Sequence, residues 1–316
     1  MSLVAVGTVA FDTIETPFGR AERVLGGSAT YITLAARFLC EPVRLVAVVG
    51  RDFPDAHVEA LESRGVDTEG LVRDPEGETF FWAGRYHYDL NERDTLATHL
   101  NVLATFHPEL PRSYRESRIV CLGNLDPGVQ QEVMAQVSEG DGPDLVVMDT
   151  MNFWIEHTPD KLKEAIAAVD VLIINDSEAR ELSGEPNLVR AARLIRAMGP
   201  QTLVIKKGEH GALLFTGATD RPTLFAVPAY PLEDIQDPTG AGDTFLGGFA
   251  GYLARRGDTS PEAMREAVVV GSALASFVVE AFGPDRLLTL TPAELNERLQ
   301  AFHALSALPA QLALGA

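Results

Sequence analysis

Cysteine is scarce in this chain: Cys40 and Cys121 are the only two in 316 residues. They stand alone, without the paired spacing of a thiolate metal cage or a disulfide framework. Basic charge is also in short supply, with 26 Lys and Arg against 45 Asp and Glu and a formal net charge of −19. Nucleic acid and anionic membrane surfaces both require a basic footprint, so neither is expected as the main partner. No apolar run is long enough and free enough of charge to span a bilayer. The apolar start, Met1 to Ala10, has no basic leader and runs into Asp12 and Glu15. It reads as a first strand rather than a signal peptide, and a cytoplasmic location is the expectation. Repeats, low-complexity tracts and linkers are missing as well. What is left is a globular composition, 46% hydrophobic and 22% charged, and a single domain over residues 1–316 is the economical reading.

Short β-rich runs alternate with helical periods along most of this length. The pattern predicts strands at Leu3–Val9, Val43–Val49, Ile119–Gly123, Leu145–Met148, Val171–Ile174 and Leu203–Ile205. It predicts helices at Ser28–Leu39, with Ser28 as N-cap, and at Pro54–Ser63, Val129–Val137, Pro159–Ala168 and Leu188–Met198. The last would carry Ala191, Leu194, Ile195 and Met198 on one face and stop at Gly199-Pro200. Such alternation implies an α/β fold, a largely parallel sheet with helices on both faces. Residues 70–99 break the rhythm with alternating aromatic and polar side chains, among them Phe81, Trp82, Tyr86, His87 and Tyr88. This small antiparallel excursion is read as a flap over a site, as a dimer edge, or as an ordinary exposed hairpin.

The informative stretch is Asp237-Pro238-Thr239-Gly240-Ala241-Gly242-Asp243-Thr244-Phe245. Downstream, Phe245, Phe249, Tyr252 and Leu253 recur at helical spacing, so the glycines sit at a helix N-terminus. Unpaired amides there, together with the helix dipole, favour an anion, and glycine lets that anion touch the backbone. An acid in a first helical turn is by itself no more than a favourable cap. Asp243 directly after the glycines would hold a hydroxyl beside a phosphoryl group, pairing a general base with electrostatic stabilisation.

These nine residues resemble the C-terminal signature of the PfkB (ribokinase-like) carbohydrate kinase family, and the order of elements agrees along nearly the whole chain. The resemblance implies a three-layer α/β/α core of eight or nine mostly parallel strands, with a small β lid at about residues 70–99. It implies transfer of the γ-phosphoryl group of ATP to a hydroxyl of a small sugar or sugar-like molecule. Asp243 would be the base, Gly240, Ala241, Gly242 and Asp243 the anion hole, and Thr239 a nucleotide contact. Asn175-Asp176-Ser177-Glu178 resembles the family's Asn-x-x-Glu motif, which supports Mg²⁺ and the phosphates largely through water, with Glu178 on the metal side. The same four residues also spell a helix capping box.

Lys206-Lys207-Gly208-Glu209-His210-Gly211 resembles the nucleotide loop Thr-x-Gly-x-x-Gly, with Lys206 where many members carry Thr. That assigns Lys206, Gly208 and Gly211 to the nucleotide; the plain alternative is a solvated basic turn, and His210 reads as an exposed loop residue. Gly7 to Asp12 and Leu25 to Ser28 resemble the sugar-binding elements, with Asp12, Gly26 and Gly27 facing the acceptor. Ala10 and Tyr31 stand where many sugar kinases have Asn, which argues against ribose in the usual pose. Tyr31 and Arg85 would then adapt the site to a cyclitol, a nucleoside or a sugar acid. Asp149 or Asn152, just past the strand Leu145–Met148, would order the phosphate side, unless this is a turn with Trp154 packed as core. Ala275 to Gly283 resembles the stretch that packs against adenine. The family often dimerises through the lid, and part of it is activated by K⁺ near backbone carbonyls around Asp237.

Competing classes fare worse. A dinucleotide-dependent oxidoreductase would need G-x-G-x-x-G after the first strand, and no helix is predicted there until Ser28. A P-loop NTPase would need a Walker loop, which the chain lacks. A non-catalytic ligand sensor on the kinase fold is opposed by the retained Asp243 and Glu178.

Overall fold

A computed structural model describes residues 1–138, 142–219 and 221–306; residues 307–316 of the expected domain lie outside the described residues. Thirteen strands occur among them: β1 (Leu3–Val6), β2 (Ala10–Thr16), β3 (Gly19–Gly26), β4 (Val43–Gly50), β5 (Val66–Asp74), β6 (Phe81–Tyr86), β7 (Arg93–His99), β8 (Ile119–Leu122), β9 (Leu145–Met148), β10 (Val171–Asn175), β11 (Thr202–Lys206), β12 (Ala212–Thr216) and β13 (Thr223–Val227). Nine form one sheet in the order β13-β12-β11-β10-β9-β8-β1-β4-β5, and four form a second in the order β3-β2-β6-β7. From β11 across to β5 every neighbour is parallel; β12 and β13 close the far edge antiparallel.

Both faces of the large sheet are covered. Leu3 and Ala5 of β1 enter one core with Phe249, Leu253, Val268 and Leu274, from the helices Ala241–Arg256 and Pro261–Val278. Val4 and Val6 enter the other with Val133, Leu162, Ile166 and Ile195, from three helices on the opposite side. Strands buried on both faces read as continuous apolar runs, the signature of a parallel sheet. No helix among the described residues is long and apolar enough to cross a membrane.

Several boundaries differ from the sequence expectation. The first strand ends at Val6, and the chain crosses to the second sheet as β2 from Ala10. An unbroken apolar run carries no mark where it leaves one sheet for another. The lid is accordingly larger and differently composed than residues 70–99: β2 and β3 supply half of it, while Gly70–Asp74 belongs to β5 of the main sheet. Gly27, at φ 93°, occupies the N-cap of the helix Ser28–Ala36, and Ser28 Oγ accepts instead from the Thr8 amide at 3.0 Å. Leu194 is 47% exposed, and the buried stripe of Leu188–Arg196 runs through Ala191, Ala192, Ile195 and Arg196.

Candidate active site

Parallel strands deliver their C-terminal ends to one edge of the sheet, where ligands of open α/β folds bind. Asp149 follows β9, Asn175 ends β10 and Lys206 ends β11, the last two being register partners. Facing this edge is the N-terminus of the helix Ala241–Arg256, whose N-cap Gly240 adopts φ 77°, a conformation that favours glycine. A side chain on Gly240 would begin 2.5 Å from the Tyr31 ring, and one on Gly242 would begin 2.8 Å from Lys206 Nζ. Only glycine lets Tyr31 and Lys206 approach the backbone this closely. The Ala241 amide, expected in the anion hole, donates instead to Pro238 O at 3.2 Å. Among the described residues no bond engages the Gly242 amide.

Charge is concentrated around that helix start. Lys206 Nζ donates to Asp149 Oδ2 at 3.1 Å, and both side chains are largely buried. Burial pulls the ammonium towards neutrality, but Asp149, Glu178 and Asp243 outweigh it and hold Lys206 charged. Burial, with Asp149 next, pushes the Asp243 carboxyl up to about 7, against the opposing pull of Lys206 and Arg93. The same forces push Glu178 to about 7. Glu178 and Asn175 do form the capping box: Asn175 Oδ1 accepts from the Glu178 amide and Glu178 Oε2 from the Asn175 amide, each at 2.8 Å. The cap fixes Glu178 in place and leaves its second oxygen for other partners, so capping and a place in the cluster are compatible.

Across the cleft, Asp12 lies against the backbone of Gly26, where a Cβ would come within 2.0 Å of Oδ2. Burial first, then Asp237 and Asp243, push Asp12 to about 8, partly offset by the Gly27 amide. Tyr31 is 1% exposed, and its hydroxyl finds no hydrogen-bond partner among the described residues. Asp237 is fully buried, with Oδ1 accepting from the Thr239 amide at 2.8 Å and Oδ2 from the Gly283 amide at 3.1 Å. It therefore ties the glycine turn to the segment Ala275–Gly283. Gly208 and Gly211 bound a single 3₁₀ turn with φ of 53° and 82°, and the His210 side chain is exposed.

Arg85 does not join this group. It pairs in register with Glu15 and donates to that carboxylate at 2.9 Å and 3.2 Å, half exposed on the outer face of the lid. Strand alternation gives the reason: Trp82 and Tyr86 share the other face with Asp12, and Arg85 must point away. Tyr86 is the lid residue that reaches the motif, its hydroxyl accepting from Thr239 Oγ1 at 3.1 Å. The register of β2 on β6 decides this, and the sequence carries no mark of that pairing. Asn152 starts a short helix, and Trp154 is half-buried with Nε1 bonded to Asn124 Oδ1 at 2.8 Å, so of the pair Asp149 and Asn152 it is Asp149 that meets Lys206.

No three His, Cys, Asp or Glu side chains among the described residues converge as a metal cage. The donors present are hard carboxylate oxygens, Glu178 foremost, 7% exposed with one oxygen unclaimed. That set fits a Mg²⁺ held mostly by water and phosphate. The arrangement can therefore do two things side by side: seat an oxyanion on open amides beneath Lys206, and accept a proton at Asp243.

Residues 2–289 match the family model described as pfkB family carbohydrate kinase. A cytidine kinase from Thermococcus kodakarensis is 29% identical over 90% of this chain and 98% of its own. The structure of a Burkholderia thailandensis nucleoside kinase in complex with inosine superposes with a TM-score of 0.74, 21% identity, and coverage of 95% and 97%. A candidate ribokinase II from E. coli, bound to ATP and Mg²⁺, gives a TM-score of 0.76 at 18% identity, covering 95% of this chain and 99% of that one.

Proposed function

The chain belongs to the pfkB family of carbohydrate kinases and moves a phosphoryl group from ATP to a hydroxyl of a sugar-like acceptor; on that premise we propose that the acceptor is a nucleoside and that Asp243 is the base. The observation that carries the chemistry is the junction of Asp243 with the open Gly242 backbone and Lys206. An alcohol is a poor nucleophile until its proton is leaving, and a carboxyl poised near neutrality is suited to take it. The incoming phosphoryl oxygens are received by the amides at the start of the helix Ala241–Arg256, with Lys206 as the cation above them. Asp149 keeps Lys206 extended along the cleft. Mg²⁺ arriving with ATP would be held through water by Glu178 and would supply neutralisation of the phosphate oxygens. The buried Asp237 and the turn carbonyls beside it are where K⁺ would be drawn.

The acceptor class rests on the lid. Asp12 can receive two ribose hydroxyls, and its register partner Trp82 offers an aromatic surface on the same face. A nucleoside has both the diol and the flat base that this pair suits, and two of the proteins most similar to this chain carry nucleoside names. An ADP-release assay with cytidine, inosine, adenosine, ribose, myo-inositol and gluconate tests the assignment. At least one nucleoside is expected to exceed ribose and inositol in kcat/KM by about 10-fold or more, the scale of one lost contact surface. Ribose or inositol turning over as well as every nucleoside would contradict it.

A further inference from the structure

The glycine turn is held from behind. Gln236 and Asp237 both donate their amides to Val279 O, at 2.8 Å and 3.3 Å. Asp237 Oδ2 accepts from the Gly283 amide at 3.1 Å, while Oδ1 accepts from the Thr239 amide. Residues 279–283 therefore fix the backbone that leads into the phosphoryl-transfer site. Three hydrogen bonds join the two segments, and Asp237 passes the last of them on to the turn itself. The aim of the Gly242 amide thus depends on what holds residues 279–283.

That support comes from outside the cleft. The helix Pro292–Ser306 lies beyond residues 2–289, the part that matches the family model, and its Arg298 reaches back over the segment. The Arg298 guanidinium carbon stands 3.6 Å from the Phe277 ring centre and 4.5 Å from that of Tyr230, a cation between two rings. Arg298 also donates to Ser276 Oγ at 3.0 Å and to Glu280 Oε1 at 2.7 Å. Glu280 Oε2 accepts from Arg286 at 3.0 Å, and Arg286 donates to Glu294 of the same C-terminal helix at 2.7 Å. An exposed ion pair contributes little, but the Arg298 side chain is only 14% exposed. A planar, forked guanidinium is what lets one side chain meet two rings and two oxygens at once. Tyr230 precedes the glycine motif and Ser276, Phe277 and Glu280 follow it, so Arg298 grips both pieces of chain that meet at Asp237.

We propose that Arg298 is a positioning residue for phosphoryl transfer: through Glu280 it sets residues 279–283, and through Asp237 these set the glycine turn. This rests on the phosphoryl-transfer site at Asp243 and adds to it a brace outside the cleft. A turn displaced by about an ångström leaves ATP bound but its γ-phosphoryl group out of line with Asp243. The loss then falls on kcat rather than on the binding of the nucleoside.

The test compares Arg298→Ala, Arg298→Lys and Glu280→Gln with wild type, well below each melting temperature, using cytidine or whichever nucleoside of the panel turns over fastest. Arg298→Ala is expected to lower kcat by about 10–10²-fold, the scale of a small misplacement of reacting groups. KM for the nucleoside should stay within about threefold. Arg298→Lys should recover part of the loss, since it keeps a charge for Glu280 but has no planar group to stack. Glu280→Gln keeps the shape and should lose in the same direction by less; it carries the test if Arg298→Ala does not fold. A double-mutant cycle gives the readout that a general loss of packing would not move. Asp237→Asn turns an acceptor into a donor and should lower kcat alone. Adding Arg298→Ala or Glu280→Gln to it should cost no more than about a further twofold, because the path is already broken. Near wild-type kcat in the folded Arg298 and Glu280 variants or in Asp237→Asn, a loss confined to KM for the nucleoside, or losses that multiply in the cycle each overturn the proposal. Failure of the base assignment shows separately, as unchanged kcat in Asp243→Asn.

Discussion

Lys206 and Asp149 form an ion pair at 3.1 Å across the floor of the cleft, at the ends of strands that are not adjacent in the sheet. The pair matters because Lys206 also lowers the proton affinity of Asp243 and Glu178. Lys206→Met is therefore expected to do more than weaken ATP. It should lower kcat/KM for ATP by about 10²-fold or more, as for a lost oxyanion donor. It should also move the acidic limb of the pH–rate profile upward, because Asp243 loses the cation that favours its ionised form. Steady-state kinetics from pH 5 to 9 check both. A variant with unchanged ATP kinetics removes Lys206 from the phosphate site.

The raised carboxyl of Asp243 has a stability consequence whose sign is fixed. Its pKa is about 7 in the folded chain against roughly 4 when unfolded. Between those values the folded protein holds a proton that the unfolded chain has released, so the contribution is complete below the unfolded pKa and is lost as pH rises through about 7. Asp12, at about 8, adds to the same trend. Thermal melts without ligand should show Asp243→Asn gaining on wild type at pH 8 and not at pH 5, by about 2–4 °C per kcal/mol for a large domain. A difference that is flat with pH would mean Asp243 is not strained in this way.

Much of this was legible beforehand, and the failures share a cause. The glycine motif, the Asn175–Glu178 cap and Lys206 were readable because each is a local arrangement whose spacing carries the physics. The parallel sheet was readable from apolar runs alternating with helical periods. The lid was not, because β2 and β3 leave the main sheet inside an apolar run without a break in pattern, and its parallel pairing to β6 joins segments far apart in the chain. Arg85 is a cation in the right region of the sequence; only the register of β2 on β6 reveals that it faces outward.

Gly242 separates the backbone reading from a general effect of packing. Gly242→Val would drive a branched side chain toward Lys206 Nζ, 2.8 Å from where its Cβ begins. Loss of ATP turnover by about 10²-fold or more is expected, with the melting temperature little changed because the residue faces the cleft and not the core. Unimpaired ATP kinetics would remove the open backbone from the account.

Hydrogen exchange can read the lid as the structure draws it. Binding of a nucleoside with a non-hydrolysable ATP analogue should slow exchange in β2, β3, β6 and β7 together, and leave Gly70–Asp74 of β5 as it was. Arg85→Ala should keep turnover within about threefold of wild type, as surface ion pairs contribute little. Protection that instead follows residues 70–99 as a block would restore the simpler lid.

The most direct measurement is the turnover of Asp243→Asn with a saturating nucleoside and ATP. A fall in kcat of about 10²–10⁴-fold, with an intact fold and nucleotide affinity preserved, is the result expected of a general base beside an oxyanion site. Near wild-type kcat in a folded Asp243→Asn enzyme would contradict it.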